Sequence, residues 1–212
     1  PSDSDGMIVD ELDEELRRIA DRGELDRVKL IYVVSEFENP SGLCLSAERR
    51  EQLVHVAQRW SQRQRIHVLE DAAYRELRYD GEPLPSVWSF DRERTTVLSA
   101  QTFSKSFSPG LRVGFGVLPR DLVAPICNRK GNDDFGSTHF SQLLLAEALR
   151  SGVYEQHVER VRAGYRRKRD VFLEALDEHF AGMPEVSWVH PKGGLYVWMT
   201  LPARIPTGFA SP

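Results

Sequence analysis

Four short runs of β-branched and other apolar residues do most to limit what this chain can fold into: Val28–Val34, Ile66–Leu69, Thr95–Ala100 and Val113–Leu118. Each has the length of a strand and is bounded by polar or turn-forming residues. Between the first two lie a turn-rich stretch, Ser35–Gly42, and a helix capped by Ser46 that runs to about Arg63, with Glu48 in its first turn. Met7–Ile19 reads as a short acidic amphipathic helix, and Asp80–Ser86 and Thr102–Arg112 read as loops. Strand, helix, strand and further strands spell an α/β layer with a mainly parallel sheet. Ligands of such sheets sit at the carboxyl ends of the strands. Asn39, Asp71 and Lys105 follow the first, second and third runs, where a ligand site would form.

After Pro119 the pattern changes. Leu122–Lys130 and Thr138–Leu149 have helical character, and Val153–Phe180 is a long charged stretch with apolar residues at helical spacing. Val186–Val189 and Leu195–Met199 read as strands separated by His-Pro-Lys-Gly-Gly. The expected organisation is a larger domain over residues 1–152 and, from the long helix at 153 to 212, the start of a smaller α+β domain.

Composition narrows the functional classes. The chain has 212 residues, 41% hydrophobic and 28% charged, as an ordinary globular protein does. A net charge of −4 argues against nucleic acid as the main partner. The basic cluster Arg160–Arg169 is expected to be the solvated face of the long helix. Cys44 and Cys127 lack metal or redox spacing and suit reduced, partly buried thiols in a cytoplasmic protein. The scattered histidines give no support for a metal site. The acidic N-terminus has no signal-like apolar region, and no apolar run has the length of a membrane span.

The chemistry concentrates in Thr102-Phe103-Ser104-Lys105 and Ser108-Pro109-Gly110-Leu111-Arg112-Val113-Gly114. A lone loop lysine is usually a solvated surface group. Here hydroxyls and a guanidinium accompany it, the donors that a phosphate needs. The amine itself suits imine formation with an aldehyde cofactor. This run resembles the Schiff-base lysine signature of the fold type I, pyridoxal-phosphate (PLP) dependent class I/II aminotransferases. Two more segments resemble that family in the same order: Asn39-Pro40-Ser41-Gly42, and Asp71-Ala72-Ala73-Tyr74 after a strand. Tyr32-Val33-Val34 and Tyr74-Arg75-Glu76-Leu77 are similar to the subgroup holding 2-aminoadipate-type aminotransferases and the effector domains of MocR regulators. Gly193-Gly194-Leu195-Tyr196-Val197-Trp198 resembles a strand of the family's small domain.

The resemblance implies Lys105 as the Schiff-base lysine and proton shuttle. It implies Thr102, Arg112 and Ser104 at the phosphate, Asp71 at the pyridine nitrogen, and Tyr74 and Asn39 at the phenolic oxygen. It further implies amino acid and 2-oxo acid substrates and a homodimer. Where the family has Pro-x-x-Gln before Asn-Pro, this chain has Ser35 and Glu38, which changes the charge nearby. The family's phosphate-binding glycine segment, its ring-stacking aromatic and its substrate-carboxylate arginine find no match, so marginal stability is expected of the isolated chain. A PLP lyase or decarboxylase, a PLP-binding regulatory domain and an inactive remnant remain open on the same scaffold.

Overall fold

The structure is a computed structural model that describes residues 1–205. A small hairpin, β1 (Ser2–Asp3) with β2 (Gly6–Met7), leads into helix α1 (Val9–Asp21). Then come β3 (Leu30–Val34), α2 (Ala47–Trp60), β4 (His67–Asp71), the short α3 (Val87–Phe90), β5 (Val97–Thr102) and β6 (Gly114–Val117). Helices α4 (Arg120–Asp134), α5 (His139–Arg150) and α6 (Val153–Phe180) follow, with β7 (Ser187–Trp188) and β8 (Met199–Thr200) after them.

The sheet has the order β3-β4-β5-β6, with the first three strands parallel and β6 antiparallel to β5. This is the expected α/β architecture with a mainly parallel sheet. Ile31 and Val33 of β3 and Val68 of β4 are buried with Val9 and Leu16 of α1 and with Leu53, Val54 and Ala57 of α2. Because side chains alternate along a strand, Leu30, Tyr32 and Asp71 emerge on the opposite face. Leu30 and Tyr32 are exposed there.

Local rules place the helix ends. The Ser46 side chain accepts from Arg49 N at 3.4 Å and starts α2 as expected, but the helix stops at Trp60, before Arg63. There the Ser61 hydroxyl donates to Ala57 O and accepts from Ile66 N, turning the chain into β4. Met7 belongs to β2 rather than to α1. The short α3 within the connection after β4 was not visible as a helix in the sequence; Ser86 caps it, accepting from Ser89 N.

Three expectations are corrected. Residues 195–198 form no strand, and only Met199–Thr200 pairs, with Ser187–Trp188. Gly193 instead bridges to Arg78, Gly194 turns at a φ of 77°, and Leu195 and Tyr196 pack on the cluster around Phe37 and Tyr74. Second, the basic cluster of α6 is only partly a solvated face. Arg162 pairs with Glu76, and Arg166 and Arg169 pair with Asp80, because the segment after β4 sets those carboxylates against the helix. Arg160, Arg167 and Lys168 remain exposed. Third, Cys44 is partly buried but Cys127 is exposed on α4.

No helix among the described residues is long and apolar enough to cross a membrane. The described residues contain no group of three or more His, Cys, Asp or Glu that could hold a metal ion. Residues 206–212 of the expected second domain lie outside the described part.

Candidate functional site

The site grows from the carboxyl ends of β3, β4 and β5. Asp71 is the last residue of β4, in register with Val34 of β3 and Ala100 of β5. Its Oδ1 accepts from Ala73 N at 3.0 Å and its Oδ2 from the Tyr32 hydroxyl at 2.7 Å. The turn after Asp71 brings Tyr74 back over the strand ends, where its hydroxyl lies 3.4 Å from that of Tyr196. The two rings meet edge to face, with centroids 5.9 Å apart. Burial, then the bond with Tyr196, push the Tyr74 phenol up to about 12, while a hydrogen bond from Asn39 works the other way. Tyr74 is therefore a protonated donor across the neutral range, with Asn39 beside it.

Thr102 ends β5 and opens the lysine loop. Its hydroxyl lies 3.0 Å from Ser104 Oγ and also accepts from Ser104 N. The Arg112 guanidinium donates to Ser104 Oγ at 3.4 Å and to Pro109 O at 3.0 Å. Arg112 reaches this position with φ at 56°, a left-handed conformation that non-glycine residues adopt at a cost, often at functional sites. The loop is anchored from beneath: Phe103 N donates to Val113 O, and Phe103 and Phe107 pack on Tyr154 of α6. The Tyr154 hydroxyl donates to buried Ser106 at 3.0 Å. Lys105 is left exposed on this fixed loop, its Nζ 6.0 Å from the centre of the Tyr74 ring.

The structure thus brings Asn39, Asp71, Tyr74, Thr102, Ser104, Lys105 and Arg112 to one end of the sheet. The donor set fits PLP. The Ser104 hydroxyl lies 3.0 Å from that of Thr102 and 3.4 Å from the Arg112 guanidinium, a donor group that suits a phosphate, and the Lys105 amine stands 6.0 Å from the Tyr74 ring. The Glu38 that replaces the family's glutamine accepts from the Ser41 hydroxyl at 2.6 Å and so stays within its own turn.

Two neighbours of the site were not assigned roles from the sequence: Tyr32 on Asp71, and Tyr196 on Tyr74. A third feature lies beneath it. Glu36 is buried among three guanidiniums, those of Arg78 at 2.9 Å, Arg50 at 3.3 Å and Arg75 at 3.6 Å. This cluster holds the segment leading to Asn39. Glu36 lies in the turn-rich stretch and Arg50 in the following helix, and nothing in the sequence named them as partners.

Comparison with known proteins agrees with the class that fold and site define, an α/β fold with a lysine loop at the strand ends. The family described as aminotransferase class I and II matches residues 1–207. The chain belongs to that family. It is 34% identical over 208 residues to aromatic-amino-acid aminotransferase 1 of Thermococcus litoralis, covering 98% of this chain and 48% of the relative. It is 34% identical over 204 residues to the 2-aminoadipate transaminase of Thermus thermophilus, covering 95% and 48%. An HTH-type transcriptional regulator of Bacillus subtilis, YdfD, is 34% identical over 201 residues, covering 95% and 39%. The crystal structure of a multiple substrate aminotransferase from Thermococcus profundus superposes with a TM-score of 0.90 at 35% identity, over 98% of this chain and 49% of that one. The chain spans about half the length of the curated relatives it matches.

Proposed function

We propose that this chain carries the cofactor site of a PLP-dependent aminotransferase that moves an amino group between an amino acid and a 2-oxo acid. The observation that carries the reading is the lysine loop: Lys105 stands free beside a ready phosphate cradle of Thr102, Ser104 and Arg112. Bound there, PLP supplies an electron sink for breaking a bond at the carbon next to the amine. The chain's own residues do the rest. Asp71 holds the proton on the ring nitrogen. Tyr74 and Asn39 donate to the phenolic oxygen. Lys105 would hold the cofactor through its amine and would take up and return the proton at the substrate Cα. In this reading residues 1–152 form the cofactor-binding domain and residues 153–212 begin a smaller one. The protein works in the cytoplasm as a homodimer.

The test is a visible absorption spectrum with added PLP. A cofactor band that vanishes in Lys105→Ala supports the reading; a folded sample with no band overturns it. The similarity to an HTH-type regulator favours a second reading, a PLP-binding effector domain. Adding an amino acid and then a 2-oxo acid separates the two. An aminotransferase loses and regains the band in turn with a new amino acid formed, whereas an effector forms none.

A further inference from the structure

We infer that Tyr32 is a positioning residue for Asp71: its hydroxyl fixes the plane of the carboxylate, so that the free acceptor sites of Asp71 stay aimed at the position of the cofactor's ring nitrogen. The inference rests on the PLP reading given above.

The geometry is specific. Parallel pairing sets Tyr32 beside Leu69, and Asp71 stands two residues further along the same face of β4. The tyrosine ring is long enough to reach forward past that step, and its hydroxyl donates to Oδ2 at 2.7 Å. The backbone N–H of Ala73 donates to Oδ1 at 3.0 Å. One donor on each oxygen holds the carboxylate against rotation, and an ionised carboxylate retains further acceptor sites for a ring N–H. Removing one of two donors therefore frees the carboxylate to rotate and loosens the hold it would have on a ring N–H. The charged groups facing Tyr32 are Asp71 and Glu38. The bond to Asp71, some burial and these two charges push its phenol up to about 12. Tyr32 is 54% exposed, so deleting the hydroxyl alone leaves no cavity in the core.

The test uses PLP labelled with ¹⁵N at the ring, bound to wild type and to Tyr32→Phe. The variant is expected to shift the ring-nitrogen resonance toward unprotonated pyridine and to weaken cofactor binding about tenfold, the loss of one hydrogen bond to a charged group. An unmoved resonance with the band present overturns the role of Tyr32 alone. A wild type that shows no cofactor band overturns both this role and the reading beneath it. A second measurement needs no cofactor. The phenol titration assigned to Tyr32, by its loss in Tyr32→Phe, should fall toward the ordinary tyrosine value in Asp71→Asn. A midpoint that stays where it is overturns the proposal.

Discussion

Arg50 offers a sharp test of how the site is supported. Its side chain is fully buried in α2, beneath the site. It pairs with Glu36 at 3.3 Å and donates to three backbone carbonyls, those of Leu45 at 2.8 Å, Pro85 at 2.7 Å and Ser35 at 2.7 Å. Burial lowers its pKa, and the charges of Glu36 and Glu70 offset that only in part. Arg50→Met keeps much of the volume and removes every donor. Removing one member of a buried pair typically costs about 3–5 kcal/mol, and stripping a buried carbonyl of its donor about 1–3. Two observations temper the sum: Glu36 retains Arg78 at 2.9 Å, and Ser35 O retains Leu45 N at 3.0 Å. The expected loss is about 4 kcal/mol. For a chain of this size that lowers Tm by roughly 10 °C. Urea unfolding followed by circular dichroism measures it, with the slope unchanged between wild type and variant. A loss below about 1 kcal/mol would show that Arg50 is held by its aliphatic stem alone, and the reasoning from buried charge would fail.

Two further outcomes follow from the structure. Gly193→Ala is expected to destabilise the protein by about 1–3 kcal/mol, because a Cβ there runs into Leu77 O and the Phe37 ring, neither of which can move freely; a wild-type Tm for this variant would refute the close approach. The Asp3 carboxyl is held down at about 2, first by its hydrogen bonds from Arg49 and then by the N–H of Asp5. Since the folded value is the lower one, the contribution of this contact is full above pH 3.8 and fades as pH falls toward 2. Carboxyl NMR should show Asp3 titrating near 2 in wild type and moving up toward 3.8 in Arg49→Met, where the Asp5 N–H still holds it down, and an ordinary value in wild type would exclude the pairing.

The features that could be read in advance are those whose partners lie close along the chain. Thr102, Ser104 and Arg112 meet within one loop, so their common chemistry was visible in the run that holds Lys105. The strands and the cap at Ser46 follow from local patterning, and α6 begins and ends at the expected residues. The contacts that complete the site join residues far apart. Tyr32 and Asp71 are separated by 39 positions, and Tyr74 and Tyr196 by 122. Their meeting depends on strand register and on how residues 193–196 fold back over the sheet. The same distance explains the missed turn at residues 195–198, where an apolar run with strand character is drawn into the Phe37 and Tyr74 cluster instead. By itself the sequence determined the alternation of strands and helices and a lysine loop rich in phosphate donors, because short-range periodicity and local turn chemistry are enough for both. Only the tertiary structure decided which hydroxyls stand on Asp71 and Tyr74 and which guanidiniums enclose Glu36. Hydrogen bonds and buried charges require partners at about 3 Å, and that spacing between distant residues exists only once the layers have packed.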